Sequence, residues 1–299
     1  QNFCRSIDSG IECLYETAFK YDPFFIMRAI GLLTWEEKQM KISLDPIPKK
    51  PRDAWDNYVK EQIAQIASFK SMQRKATVLT PVERFPEFFA NMVEHATDYD
   101  MEILEVTLNT ILRELANWVL NSAAPKHFSK KKRVRLVLLN FFYLRKHLQK
   151  RSPFERSQMI NGTLEWMHGI FMENMQSHLS TLVSTNWGNA SSYFNQINSW
   201  LQLAKLTPEM VTFQPTHTPE KFRELVAKVE QKLSSNMNEC FSMIAKKINQ
   251  ADLRTEIKKD LGPFFKKKWT EWDEMAFSIY GTHLSPNADT VEDLFKRAQ

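Results

Sequence analysis

Apolar residues recur along this chain at intervals of three and four, the spacing that lines one side of an α-helix. Leu104, Leu108, Ile111, Leu112, Leu115 and Trp118 form one such stripe in a segment that begins near Thr97. A longer stripe runs Phe222, Leu225, Val226, Val229, Leu233, Met237, Phe241, Ile244 and Ile248. A third runs Leu253, Ile257, Leu261, Phe265, Trp272, Ala276 and Ile279. Stripes this long predict helices of near thirty residues, well beyond the usual mean of about 11 to 12.

Helix starts are marked by a capping residue followed by proline, which loses no needed hydrogen bond at the first helical position. Six such pairs occur: Asp22-Pro23, Thr80-Pro81, Ser152-Pro153, Thr207-Pro208, Thr218-Pro219 and Ser285-Pro286. Thr80 and Ser152 also have a glutamate three residues on, and Thr34 with Glu37 has that capping-box spacing without proline. Surface loops are expected at Leu44 to Pro51 and at Met210 to Pro219, where prolines cluster. Together these signals predict about eleven helices, and long helices with short links pack as bundles.

Composition narrows the fold class further. Only 7 glycines occur in 299 residues, too few for the tight turns of a sheet protein of this size. The class predicted is all-α. With 43% hydrophobic and 25% charged residues the chain reads as globular, not disordered. No stretch approaches 18 uninterrupted apolar residues, and the most apolar segments, such as Val134 to Leu144, carry charged or polar residues (here Arg135 and Asn140), so a soluble chain is expected. The start at Gln1 suggests a piece of a longer protein. Three cysteines, Cys4, Cys13 and Cys240, are too few and too odd a set for a disulfide framework, which predicts a reducing compartment.

Catalytic and metal chemistry finds little footing. The seven histidines are scattered, with no His-Glu-x-x-His and no Cys-x-x-Cys, so each is expected to be structural or superficial. Glycines stand apart from one another, which argues against a phosphate-cradling loop, and no Gly-x-Ser-x-Gly elbow occurs. Adjacent acids such as Glu36 and Glu37, or Asp98 and Asp100, read as surface charge. Trp166, Met167, Phe171, Met172 and Met175 could line a peptide groove, but at helical spacing they read first as core. No cofactor, catalytic residue, metal ligand, nucleic acid or small-molecule substrate is predicted.

A net charge of +5 is concentrated in two runs. Lys130, Lys131, Lys132, Arg133 and Arg135 open one predicted helix, and Lys266, Lys267 and Lys268 sit beside Trp269 in the last long one. These are the candidate residues for an anionic partner, whether acidic protein or anionic lipid headgroups. Their plainer reading is a solvated basic face.

The order of four further segments is informative. Ile11-Glu12-Cys13-Leu14-Tyr15 precedes Lys20-Tyr21-Asp22-Pro23-Phe24. Gln62 to Phe69 precedes Arg74-Lys75-Ala76-Thr77-Val78-Leu79 and Phe85-Pro86-Glu87-Phe88. Leu138-Leu139-Asn140-Phe141-Phe142-Tyr143 follows, and the chain closes with Trp269 to Tyr280 and Thr290-Val291-Glu292-Asp293-Leu294-Phe295. Taken together they resemble the C-terminal region of the exocyst component 1 family, the Sec-three subunits; the exocyst component 7 family shares the same kind of helical bundle. The resemblance implies an elongated rod of stacked helical bundles, with one bundle over 1–150 and another over 151–299, or one continuous rod. It further implies a non-catalytic subunit that binds other exocyst subunits and tethers secretory vesicles to the plasma membrane, working from the cytoplasm. That family's pleckstrin-like lipid-binding domain has no counterpart in these residues, so any lipid contact would rest on the basic runs. The alternative is a peripheral membrane-binding module that uses them.

Overall fold

The computed structural model describes residues 22, 24–25, 27–32, 49–69, 76–96, 101–124, 128–148 and 157–298. Among the described residues every regular element is helical. The bounded helices are α1 (Lys49–Ser68), α2 (Thr80–Glu94), α3 (Met101–Ser122), α4 (Lys130–Leu148) and α5 (Gln158–Asn186), then α6 (Gly188–Gln202), α7 (Pro208–Thr212), α8 (Pro219–Lys247), α9 (Ala251–Tyr280) and α10 (Ala288–Arg297). The all-α class is therefore observed. So are the very long helices: α5 and α8 have 29 residues each and α9 has 30. The chain divides into two compact units, residues 1–172 and 173–299, and the division falls inside α5.

Helix starts follow the sequence signals where nothing competes with them. Asp22 accepts the amide of Phe24 at 3.0 Å, and Thr218 accepts that of Lys221 at 3.4 Å. Thr207 occupies the cap position of α7 with extended backbone ahead of Pro208. The signals at Thr34 and Ser152 lie outside the described residues. At Thr80 the helix begins one residue early, with Leu79 as the cap, because that residue is already fixed from elsewhere. Its amide donates to Asn140 Oδ1 at 2.7 Å and its carbonyl accepts from the Glu83 amide at 2.9 Å. The Ser285-Pro286 pair does not start a helix. The Ser285 amide donates to Glu230 and the Pro286 carbonyl accepts from Trp269 Nε1 at 2.9 Å, so this backbone is tied to α8 and α9. The next helix waits for Asn287, whose side chain accepts the Thr290 amide at 2.9 Å.

In the first unit α4 has the most buried residues of the bounded helices, and α3 touches the most neighbours. In α4, Val134, Leu136 to Leu139, Phe141, Phe142, Leu144 and Leu148 are all buried, so the middle of this helix is apolar nearly all round while its two ends are basic. It packs against α2, whose buried residues include Val82, Phe85, Phe89 and Met92, and against α3, whose buried face runs from Leu104 to Leu115. Trp118 is only half-buried, and Ala116 and Val119 complete that face instead. A buried Trp55 Nε1 donates to Thr107 Oγ1 at 3.0 Å and stitches α1 to α3.

The second unit is built on α9. Leu253, Ile257, Leu261, Phe265, Trp269, Trp272 and Ala276 line one buried face of it, facing α6, α7, α8 and α10. Phe265 is the centre of a ring cluster, 4.3 Å from Trp187, 5.3 Å from Phe295, 5.8 Å from Trp269 and 6.0 Å from Trp272 between centroids. At Gly262 the final helix comes so near that a Cβ would stand 3.2 Å from that of Phe295. Gly281 ends α9 in the left-handed conformation, φ 63°, and its amide donates to the Phe277 carbonyl, a helix end that glycine alone adopts without strain.

Candidate protein-contact site

The two basic runs meet different surroundings. At the start of α4, Lys130 and Lys131 are exposed and the first turn holds no acid. The Lys132 ammonium lies 4.1 Å from the centroid of the Phe128 ring, within cation–π range. Arg133 and Arg135 are half-buried. Arg133 Nε makes no hydrogen bond, whereas Arg135 Nε donates to the Lys131 carbonyl at 3.2 Å, and burial holds the Arg135 guanidinium below its ordinary pKa. In α9, Lys266 bridges Asp289 at 2.7 Å and Glu292 at 2.9 Å, and these carboxylates raise its pKa. Lys268 pairs with Glu271 at 2.6 Å, while Lys267 is exposed. Two of the three lysines in the second run are thus matched by acids of their own chain.

Two of the family-like segments converge on one side chain. Asn140 is fully buried in α4. Its Oδ1 accepts the Leu79 amide at 2.7 Å, and its Nδ2 donates to the Thr77 carbonyl at 3.1 Å and the Leu136 carbonyl at 2.7 Å. Both donor hydrogens are used, so a costly buried amide becomes a lock that holds the irregular 76–79 segment against α4. Tyr143, one turn on, donates to the Glu83 carbonyl at 3.4 Å. An amide side chain inside the apolar run after Arg135 was the available signal; its partners Thr77 and Leu79, more than sixty residues upstream, were not.

The methionine and aromatic stripe of α5 divides by face. Met167, Phe171 and Met175 are buried, while Trp166 and Met172 are exposed. Among the described residues of the first unit a groove of about 620 Å³ opens between α1 and α2 over Ile111, walled by Ile66, Phe69, Phe85 and Phe88. Its lining is mainly apolar and brings no catalytic constellation together.

The segment expected as a surface loop at Met210 to Pro219 is corrected in two places. Val211 is fully buried, and His217 is only 1% exposed. The imidazole stacks on Tyr193 at 4.0 Å, takes the edge of Trp200 at 4.6 Å, and lies 2.9 Å from Thr216 Oγ1 through Nδ1. Tyr280 donates its hydroxyl to the His217 carbonyl at 2.8 Å and stands 2.7 Å from the Tyr193 hydroxyl. Rings, not proline, decide where this segment goes. The other expected loop ends early, because α1 already includes Lys49, Lys50 and Pro51, and proline is tolerated in a first turn. Leu44 to Pro48 lie outside the described residues.

Cys240 is a buried free thiol pushed up to about 12 by burial, with Asn186 Nδ2 donating to its sulfur at 3.0 Å. Such a thiol is a packing group, not a nucleophile. Cys4 and Cys13 lie outside the described residues. Among the described residues no group of His, Cys, Asp and Glu could hold a metal ion, and no helix is long and apolar enough to cross a membrane.

Comparison with known proteins bears on this arrangement. Exocyst complex component 1 of Dictyostelium discoideum is 20% identical to this chain over 260 residues, covering 84% of the chain and 29% of that protein. The chain thus spans under a third of the length of this relative. No solved structure matches it. The family profile for exocyst complex component Sec3, C-terminal, matches residues 42–250, which takes in the Asn140 lock, the basic run of α4 and His217. Matched over well more than half its length, the chain belongs to the Sec3 family of exocyst components, in their C-terminal region.

Proposed function

We propose that this chain is a non-catalytic, protein-binding part of an exocyst subunit, and that it helps hold secretory vesicles at the plasma membrane before fusion. The observation that carries the reading is the family match over residues 42–250. The interior supports it: buried polar groups such as Asn140 are spent on locking helices together. Work of this kind is done by surfaces, and other exocyst subunits are the partners proposed. Of the two basic runs, Lys130 to Arg135 is the better surface for an acidic partner, since Lys266 and Lys268 are already engaged within the chain.

The test is recovery of exocyst subunits on the immobilised chain at low salt, followed by a salt series. Recovery that weakens with salt and with Lys130→Glu and Lys131→Glu supports both parts of the reading. A chain that recovers none of the subunits, while a longer piece of the same protein does, places the interaction elsewhere. Flotation with anionic vesicles that depends on the same two lysines would favour the membrane alternative.

A further inference from the structure

The first turn of α4 works against its own electrostatics. A helix begins with the positive end of its dipole and with amides that have no partner inside the helix. Here that end carries Lys130, Lys131, Lys132 and Arg133 in succession and no acid. Ser129 stands at the cap position, its carbonyl accepting from the Lys132 and Arg133 amides, both at 3.0 Å. The residue is exposed and its backbone is not yet helical. What this end lacks is a negative charge, and the Ser129 hydroxyl is a group that can acquire one by phosphorylation.

The residues around Ser129 select the class of enzyme. Lys126 stands three places before it in the sequence, and Lys130 to Arg133 follow it directly. Basic residues on both sides of a serine suit a kinase whose substrate cleft is acidic. In the transfer the hydroxyl oxygen bonds to the γ-phosphorus of ATP, the bond from that phosphorus to ADP breaks, and the hydroxyl proton passes to the kinase's base. A kinase cleft takes its substrate extended, so the start of α4 must open. The turn that opens is the one weakened by adjacent cations, whereas the buried run that holds the helix in place starts only at Val134. Once added, the phosphate brings about −1.5 to −2 charges to the cap of α4. The exposed Lys130 and Lys131 are next to it in sequence, and the unbonded Arg133 Nε belongs to the same turn. The charge that makes the turn weak is thereby matched from within the chain.

We propose that Ser129 is a phosphorylation site for a kinase that selects flanking basic residues, and that its phosphate switches off the Lys130 to Arg135 surface by pairing with those cations in the same chain. The switching half rests on the reading of that surface as the contact for an acidic partner; the modification itself does not. The experiment treats the whole chain with ATP and the catalytic domain of protein kinase C, a kinase of this class, and maps the phosphate by mass spectrometry. Ser129 should be the main site. Hydrogen exchange of the 130–133 amides should slow after modification, and affinity for immobilised polyglutamate at low salt should fall about fivefold, as the loss of one or two exposed ion pairs implies. Ser129→Ala should keep the parent's circular dichroism and its polyglutamate binding, and kinase treatment should leave that binding unchanged. Phosphate found only on other residues overturns the site. Modification of Ser129 with unchanged polyglutamate binding, or an equal loss in treated Ser129→Ala, overturns the switch. A loss confined to flotation with anionic vesicles overturns it in favour of a bilayer. Recovery of exocyst subunits is scored separately: an unmodified chain that binds polyglutamate but recovers none of them fails the subunit reading alone.

Discussion

In residues 1–172 the segment ahead of α2 is held to α4 by one amide side chain, whereas in residues 173–299 the helices meet through rings. Asn140 makes three directional bonds, and each fails if either partner is lost. Phe265 has no such bond and instead spreads its contacts over Trp187, Trp269, Trp272 and Phe295. The contrast is between a lock that tolerates no change of chemistry and one that tolerates no change of volume. A buried amide gives position to a particular backbone segment; a ring cluster gives stability to whichever helices can reach it.

Three experiments bear on that contrast. Phe265→Ala should have the largest effect, a loss of about 3 to 5 kcal/mol from the second unit, because a central ring is replaced by a cavity. Native-state hydrogen exchange of the α8 and α9 amides measures it, and Phe265→Leu should recover most of the loss if volume is what matters. Next, Asn140→Leu should cost about 2 to 4 kcal/mol in the first unit despite the similar size, since the Leu79 amide and Thr77 carbonyl lose their partner in a buried place. Faster exchange of the Leu79 amide would report it, and a cost under about 1 kcal/mol would break the comparison. Asn140→Asp should not rescue the fold, because the carboxylate cannot donate to Thr77 and Leu136.

The smallest expected effect is a pH dependence of the second unit through His217. Burial holds this imidazole below its ordinary value of 6.5. As pH falls below 6.5 the unfolded chain therefore takes up the proton first. The contribution is fully present above 6.5 and is lost progressively toward the lower pKa of the folded state, at no more than about 1.4 kcal/mol per pH unit. Urea unfolding at pH 7.5 and at pH 5.5 should separate accordingly, and His217→Gln should reduce the difference. An undiminished slope in that variant would assign the effect to other groups.

What the sequence made legible was whatever depends on neighbours along the helix. The periodic stripes of α3, α8 and α9 became buried faces because a 3.6-residue repeat needs no knowledge of the partner. Thr207 and Thr218 took their cap positions for the same local reason. Signals failed where a distant group intervened: Asn140 moved the start of α2, and Glu230 with Trp269 claimed the backbone at Ser285 and Pro286. The basic run of α9 looked as open as that of α4, since nothing local reveals that Asp289 and Glu292 return to Lys266. His217 read as a loop residue because prolines surround it, while the rings that bury it come from α6 and α9.

The bare backbone at Gly262 sets how near the final helix can lie. With even a methyl group there, the added carbon would stand 3.2 Å from the Phe295 Cβ, so one side of that seam would have to yield. The smallest residue of α9 thus sets the spacing of α10, and a single added carbon is enough to widen it.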